Sequence, residues 1–151
     1  MTPMPVAERL GSFIKRAERA LQAAKAAALK PAGLTVPQYS ALLFLEENPG
    51  ISAAGLARLC GVTPPTMNTI LANLQDRDLV ERHQHAWHKN VLETRLTPAG
   101  ERVLAEADAG PVGVERALAA EFTATEHAAL RELLTRCADF LEAIPEDPKL
   151  R

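Results

Sequence analysis

Apolar residues recur at helical spacing along most of this chain, and the breaks between runs fall on glycine, proline and capping residues. Leu10, Phe13, Ile14, Ala17, Leu21, Ala24 and Ala28 mark one face of a long helix from about Val6 to Lys30, after a proline-rich, disordered-looking start. Pro31, Ala32 and Gly33 end it. Thr35 and Pro37 open a second helix with Leu42, Leu43 and Leu45 inward, and Asn48-Pro49-Gly50 closes it. Ser52 then caps a short helix carrying Leu56, Ala57, Leu59 and Cys60, and Gly61 stops it by supplying the left-handed conformation that a C-terminal cap prefers. Thr63 is the next N-cap and Pro64 the first helical residue, where a missing N–H costs nothing. Met67, Ile70, Leu71 and Leu74 form the buried stripe of that helix.

The pattern then changes period. Leu79 to His83 and Val91 to Leu96 read as two strands bracketing a polar tip, Gln84 to Asn90, and Ile51 is placed to pair briefly with them. Helical spacing resumes after Thr97 and Pro98 with Val103, Leu104 and Ala107; Gly110-Pro111 should kink or break this helix before Val114 to Phe122 continue. Thr123 and Glu126 form a capping box for a last stripe of Leu130, Leu133, Leu134, Cys137, Leu141 and Ile144. Pro145 should end that helix, with Glu146 to Arg151 frayed. The fold class expected is mainly α with a small antiparallel β wing: a helix-turn-helix whose second helix is shaped for a major groove, plus a helical lobe.

These residues resemble the multiple antibiotic resistance regulator (MarR) family of winged helix-turn-helix regulators. The similarity covers most of the chain. It is carried by Leu34-Thr35-Val36-Pro37-Gln38-Tyr39, Leu56-Ala57-Arg58-Leu59, Gly61-Val62-Thr63, Thr66, Leu79-Val80-Glu81-Arg82 and Leu96-Thr97-Pro98-Ala99-Gly100. The resemblance implies one domain over residues 1–151, with a DNA-binding lobe at 34–100 and a dimerisation lobe made of 1–33 with 101–151. It further implies an obligate homodimer with interleaved terminal helices, a pseudo-palindromic site in double-stranded DNA, and release by a small organic effector or by thiol oxidation. The effector pocket would lie between the first helix and the winged lobe, where Phe13, Arg16, Tyr39 and Phe44 are candidates; core packing is their alternative role. The family's recognition helix usually carries Arg near the position of Thr69 and an Asp-Arg pair near Ala72 and Asn73, and its wing carries Asp-x-Arg. Here those positions are neutral, and the tip reads His88-Lys89-Asn90.

Length and composition agree with a regulator of this size. The 151 residues suffice for an ordinary core, and 47% hydrophobic with 4% aromatic residues suits Ala- and Leu-rich helices. No apolar run approaches the roughly 20 residues of a membrane span. Arg9, Lys15, Arg16, Arg19 and Lys25 rule out a signal-peptide core, so the expected location is cytoplasmic. Cys60 and Cys137 sit on separate apolar stripes and are expected as reduced, buried thiols. Charge is uneven: residues 1–33 hold six basic side chains against Glu8 and Glu18, residues 34–100 hold five basic against six acidic, and the remainder is acidic. Because phosphate neutralisation supplies most non-specific affinity, the non-basic winged lobe should bind DNA more weakly, and with a shallower salt slope, than a basic relative.

The candidate DNA contacts are Thr63, Pro65, Thr66, Asn68, Thr69 and Asn73 on the recognition helix, Arg77, Arg82 and Arg95 as phosphate clamps beside Arg58, and His85, Trp87, His88 and Lys89 on the wing. Any of the arginines could instead pair with Asp76, Asp78, Glu81 or Glu93 at the surface. His83, His85 and His88 raise a metal or haem site as an alternative, but no fourth ligand is evident, and imidazoles approaching phosphates are the preferred reading. Trp87 could wedge in a groove, pack on a second subunit, or fold over the hairpin, the commonest fate of a lone aromatic. No cofactor, no resident metal and no catalytic constellation is expected. The rival readings are a winged-helix protein-interaction module without DNA binding and a His-dependent metal or haem sensor.

Overall fold

The computed structural model describes residues 4–144, so the expectations for the extreme N-terminus and for Pro145 to Arg151 lie outside the described residues. The chain divides into two compact units, one running to Val114 and one from Glu115.

In the first unit, a single 3-10 turn (Val6–Glu8) precedes helix α1 (Leu10–Leu29). The helix starts at Leu10, the first residue of its apolar stripe, and not at the expected Val6; Arg9 at its N-cap makes no side-chain cap hydrogen bond and its backbone is extended. A second 3-10 turn (Lys30–Ala32) ends on Gly33, at φ 65°. Helix α2 (Val36–Glu47) begins with a full capping box, the Thr35 hydroxyl accepting from Gln38 N while the Gln38 side chain accepts from Thr35 N. Helix α3 (Ala53–Cys60) is capped by Ser52. Gly61 ends it at φ 65°, and Val62 N donates to Ala57 O at 3.0 Å in the wrapped geometry that satisfies a helix's last carbonyls. Helix α4 (Pro64–Asp76) follows at once.

Strands β1 (Val80–Gln84) and β2 (Leu92–Leu96) pair antiparallel, with Val80 opposite Leu96 and Arg82 opposite Thr94. The segment before α3 joins this sheet as expected: Gly50 N donates to Thr94 O at 3.0 Å, and Thr94 N donates to Ile51 O at 3.2 Å. The base of the hairpin is stitched to helix α5 (Pro98–Ala120) by Thr97. Its hydroxyl donates to Asp78 O at 2.6 Å and accepts from Gly100 N at 3.0 Å. Gly100 is required there, since a Cβ would overlap the Leu79 carbonyl.

The core gathers one face from each element: Leu29 of α1, Leu42 and Leu45 of α2, Leu56 of α3, Met67, Leu71 and Leu74 of α4, Val80 of β1 and Leu104 of α5 are all buried. At roughly 1.5–3 kcal/mol per fully buried large aliphatic side chain, this set is what holds α4 in place. Helix α5 runs through Gly110-Pro111 without the break the sequence suggests. Two contacts explain it. Pro111 is fully buried, and Gly110 lets the Ala28 carbonyl of α1 approach to 2.8 Å from where a Cβ would stand. Packing on both sides of the proline thus offsets the hydrogen bond it removes, a loss of about 3 kcal/mol in an unsupported helix.

The second unit contains the end of α5 and helix α6 (Ala124–Ala143), started by the expected capping box of Thr123 and Glu126. Helix α6 buries none of its residues. No described helix is long and apolar enough to cross a membrane.

Candidate nucleic-acid interface

Burial of Met67, Leu71 and Leu74 fixes the rotation of α4 and turns Pro65, Thr66, Asn68, Thr69 and Asn73 outward, all exposed. Much of this polar face is already hydrogen-bonded within the helix. Thr66 N donates to the Thr63 hydroxyl at 3.3 Å, and the two hydroxyls lie 2.8 Å apart. The Thr69 hydroxyl donates back to Pro65 O at 3.2 Å, and Asn73 Nδ2 to Thr69 O at 3.0 Å. The N-terminus itself offers no phosphate an N–H: Pro64 and Pro65 have none, Thr66 N is capped, and Met67 N is bonded to Thr63 O at 2.9 Å. The groups of this face left to meet a duplex are Asn68 and hydroxyls that can rotate.

The arginines divide by task. Arg77 donates from Nη1 to Gly33 O at 3.1 Å, tying the end of α4 to the turn ahead of α2. Arg95 pairs with Glu93 at 3.2 Å, the surface pairing weighed from sequence. Half-buried Arg82 reaches across from β1, its Nη2 3.4 Å from Asn68 Oδ1. Arg58 and Lys89 are exposed.

At the wing the structure corrects one expectation and bears on one alternative. Trp87 does not fold over the hairpin; it is 88% exposed. The three histidines do not converge: His83 Nε2 is 3.3 Å from Glu81, His85 Nε2 is 3.5 Å from Glu93, and the His88 ring lies 5.2 Å from that of His85, tilted by 34°. Among the described residues no group of three or more His, Cys, Asp or Glu side chains is gathered as metal ligands. Instead His85 Nδ1 accepts from the backbone N of both Trp87 and His88, each at 3.1 Å. Sequence reasoning missed this role, because a turn capped by an imidazole carries no glycine or Asx signature.

The effector candidates are spread out. Phe13 and Arg16 are exposed on α1, Phe44 is half-buried, and Tyr39 is in the core. Tyr39 Oη donates to Asp108 Oδ1 of α5 at 2.6 Å, a partner 69 residues away that no local pattern reveals. A surface groove of about 550 Å³ lies between Gln22, Ala26 and Lys30 on one side and Gly33 to Pro37 on the other. Both thiols are free and half-buried, less enclosed than expected, and burial pushes the Cys60 thiol up from its ordinary pKa.

The sequence pattern of the MarR family matches residues 32–89. The HTH-type transcriptional repressor Rv2887 of Mycobacterium tuberculosis is 33% identical over 127 residues, 84% of this chain and 91% of that protein. Its crystal structure with p-aminosalicylic acid is 32% identical, covers 86% of this chain and 98% of that one, and superposes with a TM-score of 0.68. The transcriptional repressor CouR, bound to a 23-mer DNA duplex, is 27% identical, covers 91% and 99% of the two chains, and gives a TM-score of 0.80. With the helix-turn-helix, the two-stranded wing and this extent of identity in place, the chain belongs to the MarR family of transcriptional regulators.

Proposed function

We propose that the protein is a homodimeric repressor in the cytoplasm, acting by binding and not by catalysis, that occupies a pseudo-palindromic operator and leaves it when a small organic effector binds. The observation that carries the reading is the outward polar face of α4, rigidly backed by Met67, Leu71 and Leu74 and flanked by the hairpin. Repression is supported by the name of the mycobacterial relative, and duplex binding by the CouR complex. Dimerisation is supported by helix α6, twenty residues long with none buried, whose Leu130, Leu133, Leu134 and Leu141 are exposed to water along with Leu10, Phe13 and Ile14 of α1. A helix of that length gains little from propensity and needs its apolar face covered.

A two-fold pair of α4 helices would meet successive major grooves about 34 Å apart. An effector that prefers a dimer with another spacing then lowers operator affinity by mass action. Rv2887 has been crystallised with salicylic acid and with p-aminosalicylic acid, which makes a small aromatic acid the effector class of choice. Phe13, Arg16, Tyr39 and Phe44 remain the proposed contacts. The test is titration against duplexes selected from a randomised pool, at two salt concentrations, with and without salicylate. Saturable, sequence-selective binding weakened by salicylate is expected. Absence of selective binding at low salt would overturn the reading in favour of a protein-interaction module.

A further inference from the structure

Between Gln84 and Leu92 the hairpin turns without a glycine, and its backbone N–H groups need acceptors that the strands do not supply. His85 provides them. Its Nδ1 accepts from Trp87 N and His88 N at 3.1 Å each, while its own N donates to Val91 O at 2.9 Å and Val91 N donates to His88 O at 2.8 Å. Acceptance at Nδ1 requires the lone pair there, which puts the ring proton on Nε2, 3.5 Å from Glu93 Oε1. The other Glu93 oxygen is held by Arg95 at 3.2 Å. His85 thus caps the tip, and what the tip holds out is Trp87, with Val91 and Leu92 of the same hairpin about 40% exposed.

We infer that this clamp presents Trp87 as an apolar wedge to the minor groove beside the major groove taken by α4, with His85 as its positioning residue; the inference rests on the operator-binding reading above. Two features favour a duplex over a second protein surface. The Arg82–Asn68 contact joins the same hairpin to the recognition helix, so both approach one partner together. His83, His88 and Lys89 of the same hairpin are all exposed and carry donors suited to phosphates on either side of an inserted side chain. The tip, Gln84 to Asn90, carries no arginine, so the indole is its largest side chain.

Trp87 is the chain's single tryptophan, so its emission reports the tip alone. In the free protein, His85→Ala should lower the emission anisotropy, and His85→Asn, whose amide oxygen takes the place of Nδ1, should restore it. With a duplex selected from a randomised pool, binding should quench the emission. Trp87→Ala should weaken binding about tenfold and Trp87→Phe less. His85→Ala should lose part of the affinity and His85→Asn recover it. Unchanged anisotropy in His85→Ala overturns the positioning role. Full affinity in Trp87→Ala together with unaltered emission of the wild type on the duplex overturns the wedge and leaves the regulator reading standing. Failure to select any duplex overturns both, with the anisotropy still deciding the role of His85.

Discussion

Arg82 on the first wing strand lies 3.4 Å by its Nη2 from Oδ1 of Asn68 on the recognition helix. The contact is long and exposed, so it contributes little stability, but it engages the amide oxygen and not Nδ2. Asn68→Ala should therefore relax preference at one base pair, at a cost of about 1–3 kcal/mol for the preferred sequence. Lys89→Ala should weaken every duplex alike and reduce the salt slope by about 1. Competition binding with single-base operator variants checks both, and equal losses across all variants for Asn68→Ala would refute the first.

Asp78 carries the only positive φ outside glycine among the described residues, 55°, at the end of α4 where Leu79 N turns back to Leu74 O. Its carbonyl, not its side chain, accepts from Thr97. Asp78→Gly should leave that bond intact and relieve the left-handed strain, raising stability by about 0.5 kcal/mol after the added freedom of the unfolded chain is counted. Gly100→Ala should do the opposite, by about 1–3 kcal/mol or more, since the new methyl meets backbone at Leu79. Urea unfolding monitored by circular dichroism reads both.

The capping box of α6 is sensitive to acid. Hydrogen bonds from the Thr123 backbone and hydroxyl hold the Glu126 carboxyl below its ordinary pKa. A depressed folded-state pKa means that the carboxylate stabilises the helix above its unfolded value and that this contribution fades as pH falls through the folded value. Far-ultraviolet ellipticity should decline over that acidic range in the wild type and by less in Glu126→Gln.

Burial raises the Cys60 thiol above its ordinary range, which lowers its thiolate fraction at neutral pH. Iodoacetamide should modify Cys60 in the folded protein more slowly than in protein unfolded by urea. Mass spectrometry of the labelled peptides measures the ratio, and equal rates would contradict it.

What the sequence revealed was what neighbours in the chain decide. The Gly61 stop, the Thr63 cap, the Pro64 start and the Met67, Leu71, Leu74 stripe are local rules, and the structure follows them. Pro111 went the other way because the Ala28 backbone, far upstream, supports the helix from outside. The Tyr39–Asp108 bond and the capping of the wing tip by His85 were hidden for the same reason: each depends on which elements meet, not on spacing. Of the three fates open to Trp87, collapse onto its own hairpin, the commonest for a lone aromatic, is the one it does not take.

Helix α4 opens on two imino acids and has its next two amides already spent. A blunt end of that kind attracts phosphate by its field but cannot lock the chain at a given register. On the operator-binding proposal, address selection is thereby left to a few replaceable side chains on one rigid rod, so exchanging Asn68 or Thr69 should redirect the protein to another promoter while the scaffold beneath stays untouched.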